Sequence, residues 1–234
     1  MSTTASYVSR AEAGSATGVV VAIDVLRAFT TAAFAFAGGA EAIWLVADVD
    51  EALALGSSIP GALVMGEEHG RRPPGFALSN SPVAVAEAEL DGRVLVHRTT
   101  AGTRGAVAAS SAERLFVSSL VCASATAAAI DATGLGAPTY VITGAFPDDP
   151  DSGFDDLVTA QLIERVRTGL PIDAATTAAG VRDSPEAAIT LAVGKGHVHP
   201  DDIAYAIDVD RFDFAMEAER VDGRLRLRRA DAPA

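Results

Sequence analysis

The sequence predicts an α/β protein: a three-layer α/β/α arrangement on a mostly parallel or mixed sheet, with a β-hairpin near the C-terminus. Two patterns predict it. Short runs rich in Val, Ile and Leu, bounded by Gly, Asp or Pro, alternate with Ala-rich segments of helical length, as in a sheet covered on both faces. Near the end, Glu217 to Leu227 carries two alternating strands about Asp222-Gly223, a strong local hairpin signal. With 234 residues, 49% hydrophobic and 21% charged, the chain can build one substantial core. It reads as a single domain over 1–234, with flexible ends at about 1–17 and 229–234.

Strands are expected at Gly18-Val25, Ala42-Ala47, Ala62-Gly66, Arg93-Arg98, Arg114-Ser118 and Thr139-Thr143. Between them fall helices at about Arg27-Ala37, Val49-Leu55, Pro82-Ala88, Gly102-Ala109, Cys122-Ala132 and Phe154-Arg167, and two more at Ser184-Val193 and Pro200-Ile207. Gly38, Gly39, Gly56 and Gly134 suit left-handed helix C-caps, where a Cβ is penalised. Asn80-Ser81-Pro82 reads as a helix start, a capping side chain followed by proline at the first helical position.

Charge narrows the function. A formal net charge of -13 opposes binding to nucleic acid or an anionic membrane, since phosphate backbones need basic patches. A small anion in a locally positive pocket stays compatible with it. No apolar run is long enough to span a bilayer, and the opening MSTTASYVSRAEAGSATG lacks the basic and apolar regions of a secretory signal. One cysteine, Cys122, allows no internal disulfide and points to a reducing, cytoplasmic setting. An Ala-rich, low-aromatic surface helix is compatible with a homodimer.

In open α/β sheets, ligands gather outside the carboxyl ends of strands. There the sequence sets Asp24-Val25-Leu26-Arg27, Glu67-Glu68-His69-Gly70, Thr99-Thr100-Ala101-Gly102-Thr103-Arg104, Ser118-Ser119, and a run from Asp148 to Asp156. A helix opening at Gly102 offers free N–H groups and a positive dipole end to an anion. Thr99, Thr100 and Thr103 add hydroxyls, and Arg104 or Arg27 can hold a phosphate in bidentate fashion. The plainer reading makes the threonines helix caps and the arginines solvated. Asp24 and Glu67 supply hard oxygens suited to Mg²⁺, or in the plainer reading a helix cap and an exposed acid. Asp155 and Asp156 fall in a helical first turn, where negative charge is stabilised in any case. The loop Glu68 to Asn80, with Arg71-Arg72, is the longest irregular stretch and a candidate to close over an anionic tail.

Other motifs carry less. His197-Val198-His199 lacks a third zinc ligand and reads as a polar loop. Cys122 has no arginine where a phosphate-cradling cysteine loop needs one, and reads as a small buried helix residue. Asp48-Val49-Asp50 would need Thr or Val at position 52 to form an aspartyl-phosphate loop, and Ala52 stands there. No GxxxxGK[ST] loop is present.

Five segments in order, Ala22-Ile23-Asp24-Val25-Leu26-Arg27-Ala28, Gly66-Glu67, Gly75-Phe76-Ala77-Leu78-Ser79-Asn80-Ser81-Pro82, Thr99-Thr100-Ala101-Gly102-Thr103-Arg104 and Asp201-Asp202-Ile203, closely resemble the 2-phosphosulfolactate phosphatase family. The resemblance extends from about Val19 to Phe214. It implies a three-layer α/β/α fold and Mg²⁺-dependent hydrolysis of 2-phosphosulfolactate to sulfolactate and phosphate, in coenzyme M biosynthesis. Carried onto this chain, it implies Asp24 and Arg27 as catalytic residues. It likewise implies Asn80, Thr99, Thr100, Gly102, Thr103 and Arg104 as phosphate-binding, and Asp24, Glu67, Asp155 and Asp156 as metal-binding. Three positions depart from the family's pattern. Ala101 replaces an asparagine, Cys122 precedes Ala-Ser where an asparagine is usual, and Glu68 stands where arginine is usual. The competing expectation is a non-catalytic small-anion-binding protein derived from this family.

Overall fold

The computed structural model describes residues 4–145 and 152–231. Strands β1 (Ser6–Ser9), β2 (Val19–Ile23), β3 (Ala42–Val46), β4 (Leu63–Gly66), β5 (Leu78–Ser79), β6 (Val94–Arg98), β7 (Arg114–Ser118), β8 (Thr139–Ile142), β9 (Phe214–Val221) and β10 (Arg224–Asp231) form one sheet. Its order is β1-β8-β2-β7-β9-β10-β3-β6-β4-β5. The helices are α1 (Ala28–Ala37), α2 (Val49–Ser58), α3 (Pro82–Ala86), α4 (Gly102–Ala108), α5 (Ala123–Ala132), α6 (Phe154–Arg167), α7 (Ala174–Arg182), α8 (Pro185–Ala192) and α9 (Asp202–Ala206). The predicted α/β class, the mostly parallel sheet and the hairpin are all present.

The hairpin does more than close the chain. Its turn sets Asp222 at φ 51° and Gly223 at φ 81°, the primed geometry that Asp-Gly favours. β9 pairs antiparallel with β7, and β10 antiparallel with β3. It therefore welds two parallel quartets, β1-β8-β2-β7 and β3-β6-β4-β5, into one sheet. Three antiparallel pairings separate β7 from β3, so the quartets run in opposite senses along the sheet. A flat sheet would then send the carboxyl ends of β2 and β6 to opposite edges. They meet instead: a Cβ on Gly102, after β6, would lie 2.5 Å from Asp24 Oδ2, after β2. The sheet is accordingly curled.

What it curls around is α1. Every residue from Ala28 to Phe36 is buried, the signature of a helix enclosed on all sides. Alternation along the strands sorts the core. Val20, Ala22, Leu115, Val117, Val141, Met216, Ile43 and Leu45 face inward onto α1. Val19, Val21, Ile23, Phe116, Tyr140 and Ile142 face outward with residues of α5 and α6. Val46 and Val96 face outward beneath Ala52 of α2. Fully burying a side chain such as Phe29 contributes roughly 1.5–3 kcal/mol.

Several local expectations change. Gly39 (φ 90°) and Gly134 (φ 67°) are left-handed as expected. Gly38 has φ -80°, and Gly56 lies inside α2, where a Cβ would come 2.3 Å from Val64 Cγ2. Its role is close helix–strand packing. Ser81 caps α3 by accepting from Ala84 N, with Pro82 following. Asp48 caps α2 through Asp50 N and Glu51 N. β1, β5 and α7 were not expected; the strands have four and two residues, too short for a periodic signal. The basic run on β10 is neutralised across the ladder, Arg226 by Glu219 at 2.6 Å and Arg228 by Glu217.

Candidate active site

The strand ends converge on a cavity of about 430 Å³ lined by Asp24, Arg27, Glu67, Asn80, Thr100, Asp155, Asp156 and Glu186, among others. Asp24 follows β2, and its Oδ1 accepts from Ala28 N at 2.8 Å. It is thus both the cap of α1 and a wall of the cavity. Burial raises the Asp24 carboxyl to about 6, outweighing the Ala28 bond, and the charge of Glu67 adds to the rise.

Glu67 follows Gly66, whose φ of 133° brings β4 so near β6 that a Cβ would sit 1.9 Å from the Arg98 carbonyl oxygen. Thr100 N donates to Glu67 Oε1 at 2.5 Å, while Thr100 Oγ1 and Gly70 N donate to Oε2 at 3.0 and 2.6 Å. Arg98 supports this turn, donating from Nη1 to the Glu67 carbonyl at 2.7 Å and from Nη2 to Glu68 Oε1 at 3.0 Å. Glu68, the departure from the family's arginine, is therefore paired away from the cavity.

The threonine-rich loop divides. Thr100 faces the cavity. Thr99 and Thr103 face inward and cap α4 reciprocally: Thr103 N donates to Thr99 Oγ1 at 2.9 Å and Thr99 N to Thr103 Oγ1 at 2.7 Å. Their hydroxyls are spent on backbone, as the plainer reading held. Arg104 is exposed, and neither it nor Gly102 lines the cavity. Gly102 acts by its missing side chain, leaving room for Asp24. Arg71 and Arg72 also lie outside the lining.

Asp155 and Asp156 open α6. Asp156 Oδ1 accepts from Val25 N at 2.9 Å and Oδ2 from Gly144 N at 2.8 Å, so this side chain ties the ends of β2 and β8 together. Asp155 makes no tie between strands and takes only local backbone N–H support, from Asp156 and from its own residue. Burial, then Asp24 and Glu186, push its carboxyl up to about 8. Burial and the neighbouring Asp155 and Asp24 hold Asp156 well above its ordinary value. Asp148, Asp149 and Asp151, which belong to the acidic run expected at this edge, lie outside the described residues.

Arg27 is the buried cation of this acidic pocket. Its Nη1 donates to Asp202 Oδ2 at 2.9 Å and to the His197 carbonyl at 3.2 Å. Asp202 also accepts from His199 N at 2.9 Å and Ser81 Oγ at 2.6 Å. Burial lowers the Arg27 guanidinium, while Asp202, Glu67 and Asp24 counteract it. The His197–His199 segment is thus a backbone clamp on the Arg27–Asp202 pair. Two partners escaped the residue-by-residue reading. Asp202 was seen only as a motif, and Glu186, at the start of α8, accepts from Gly153 N at 3.0 Å and Phe154 N at 3.2 Å. Its only advance signal was an acid in the first turn after Ser184-Pro185.

Among the described residues, no group of three or more His, Cys, Asp or Glu side chains forms a ready metal cage. The donor set still fits Mg²⁺, which usually takes one or two carboxylates and completes its shell with water and substrate phosphate. The carboxyls of Asp24 and Asp155 are raised first by burial and then by neighbouring negative charge, from Glu67 on Asp24 and from Asp24 and Glu186 on Asp155.

Fold and pocket together define a class: an α/β protein whose strand ends set several carboxylates against one buried guanidinium, an arrangement suited to a phosphate ester. A family model described as 2-phosphosulpholactate phosphatase matches residues 6–219, and the chain belongs to that family of phosphoric monoester hydrolases. It is 32% identical to a probable 2-phosphosulfolactate phosphatase of Bacillus subtilis over 206 residues, covering 88% of each chain. It is 38% identical to the probable 2-phosphosulfolactate phosphatase of Thermus thermophilus over 146 residues, covering 62% of this chain and 60% of the relative. A relative of the same name from Carboxydothermus hydrogenoformans is 44% identical over 108 residues, 46% of this chain and 44% of its own. No helix among the described residues is long and apolar enough to cross a membrane.

Proposed function

We propose that this protein hydrolyses the phosphate monoester of a small acidic hydroxy acid, 2-phosphosulfolactate, to sulfolactate and phosphate, with Mg²⁺ as cofactor. The observation that carries the reading is the placement of Asp24 and Arg27, three residues apart, on the wall of one cavity with Glu67 and Asp155. Asp24 and Glu67 would hold the ion, with Asp155 beside them on the same cavity wall. Bound there, it supplies Lewis-acid neutralisation of the phosphoryl oxygens.

The chain's own residues account for the rest. Arg27, held at Nη1 by Asp202, presents its remaining nitrogens to the phosphoryl group, a planar donor set matched to phosphate oxygens. Thr100 fixes the Glu67 carboxylate through two bonds, so the ligand enters a preorganised wall. Asp156 locks the ends of β2 and β8, which sets the direction of Asp24. Asp24 meets the phosphoryl group, as nucleophile or as base toward the attacking water. The stereochemical course at phosphorus separates the two: a carboxylate nucleophile gives two in-line displacements and net retention, whereas direct attack by water gives one displacement and inversion.

The test is phosphate release from 2-phosphosulfolactate and from an aryl phosphate, with Mg²⁺ and then with a chelator. Metal-dependent release selective for phosphosulfolactate supports chemistry and substrate together. Release from the aryl ester alone retains the chemistry and overturns the substrate. Absence of release from a folded protein that binds phosphate favours a non-catalytic anion-binding role. Asp24→Asn is expected to lower kcat by about 10²–10⁴, the range for loss of a positioned acid–base group; unchanged turnover removes Asp24 from the mechanism.

A further inference from the structure

His97 is fully buried on β6, where its register partners are Leu45 of β3 and Met65 of β4. Both flank the apolar core, and an aliphatic side chain would pack there without desolvating an imidazole. One polar group is within reach: Asn80 Oδ1, 3.2 Å from His97 Nε2. Nδ1 has no hydrogen-bond partner among the described residues. Burial lowers the ring to about 3, so it is neutral and carries one N–H.

That single proton has two possible places. On Nδ1 it would be a buried donor with no acceptor, and the Nε2 lone pair would confront the oxygen of Asn80. On Nε2 it bonds Asn80 Oδ1 and leaves only a lone pair unsatisfied, which costs less than an orphaned N–H. The Nε2–H tautomer follows, and with it the orientation of the Asn80 carboxamide. The carboxamide oxygen is turned to the core and the amino group away from it. Asn80 is itself 3% exposed and lines the cavity, and its side chain makes no other hydrogen bond among the described residues.

We propose that His97 is a positioning residue: its Nε2–H holds the Asn80 carboxamide so that Asn80 Nδ2 is presented to the cavity as a donor for a phosphoryl oxygen. The inference rests on the reading that this cavity binds a phosphate ester. His97 touches neither the cavity nor any reacting atom and acts only through Asn80.

The test has a spectroscopic and a kinetic arm on the full chain. Nitrogen-15 NMR of the wild-type protein is expected to show His97 as the neutral Nε2–H tautomer at pH 7; the Nδ1–H tautomer overturns the proposal. Asn80→Ala and His97→Phe are each expected to raise KM for the phosphate ester and the inhibition constant of inorganic phosphate about tenfold, the loss of one bond to a charged group, with a smaller change in kcat. His97→Gln places an amide N–H near the Nε2 position and is expected to restore most of that loss. A wild-type KM in His97→Phe, beside an impaired Asn80→Ala, overturns the positioning role and spares the cavity's assignment. A wild-type KM in Asn80→Ala overturns both the inference and the phosphate role of Asn80. Equal impairment of His97→Gln and His97→Phe, tracking their loss of Tm, makes the histidine structural and overturns the proposal.

Discussion

Arg27 Nη1 lies 2.9 Å from Asp202 Oδ2 across 175 positions of sequence, with both side chains almost entirely shielded from water. Desolvating two charges offsets most of their attraction, so the pair adds little stability by itself. Its value is geometric: one nitrogen of the guanidinium is anchored while the cavity-facing part stays available.

Removing one partner is another matter, since it strands a buried charge. Asp202→Ala is expected to destabilise the fold by about 3–5 kcal/mol, because Ser81 Oγ and His199 N lose their acceptor as well. Urea unfolding should show this as a lower midpoint. A loss below about 1 kcal/mol, the range of exposed ion pairs, would mean that the pair is hydrated in solution.

Gly102 predicts a steric effect on chemistry. A Cβ there would come 2.5 Å from Asp24 Oδ2 and 2.7 Å from Ala28 Cβ, so Gly102→Ala must displace the carboxylate or the start of α1. Turnover is expected to fall about a hundredfold, the cost of misplacing a reacting group by roughly 1 Å. Wild-type kcat in this variant would show that Asp24 is not held in this position during catalysis.

The carboxylates predict a pH dependence of the metal-free protein. Asp155 is raised from 3.8 to about 8 and Asp24 to about 6, so between those values and 3.8 the folded state holds protons that the unfolded chain has released. Their stabilising contribution is full below pH 3.8 and is lost as pH rises through 6 to 8. Thermal melts in chelator should therefore show Tm falling between pH 6.5 and 8.5, and Asp155→Asn should flatten the decline. Added Mg²⁺ should raise Tm most at the alkaline end. A flat profile in the wild type would contradict the clustering of these acids.

His97 predicts the opposite slope on the acid side. Its folded value of about 3 lies below the ordinary 6.5, so below pH 6.5 the unfolded chain takes up a proton that the folded state refuses. This contribution is present above 6.5 and is lost as pH falls toward 3. His97→Gln should lose less stability than wild type between pH 6.5 and 4, read as the difference in urea midpoint at the two pH values. Parallel losses in the two proteins would show that the wild-type ring is reached by solvent.

Fold and site were legible to different depths. β2, β6 and β7 were found because apolar runs between breakers encode buried parallel strands. Ser81-Pro82 and Asp222-Gly223 were found because caps and tight turns are local. Asp24 and Glu67 were placed by a rule about strand ends. The same rule overreached at Thr99, Thr103 and Arg104: it identifies the loop that approaches a ligand, but not which of its side chains turn inward to cap α4.

The sequence by itself determined the α/β class, the order of the longer strands and helices, the hairpin turn and the acidic and hydroxyl residues that follow those strands, because each is written in spacings of a few residues. Only the tertiary structure decided that the hairpin sits in mid-sheet, that the sheet curls around α1, and that Asp202, Glu186 and His97 stand beside Arg27, Asp155 and Asn80. Strand partners and buried polar pairs are chosen by non-local burial. A carboxylate 175 positions away leaves no mark in the local pattern until the chain has closed around it.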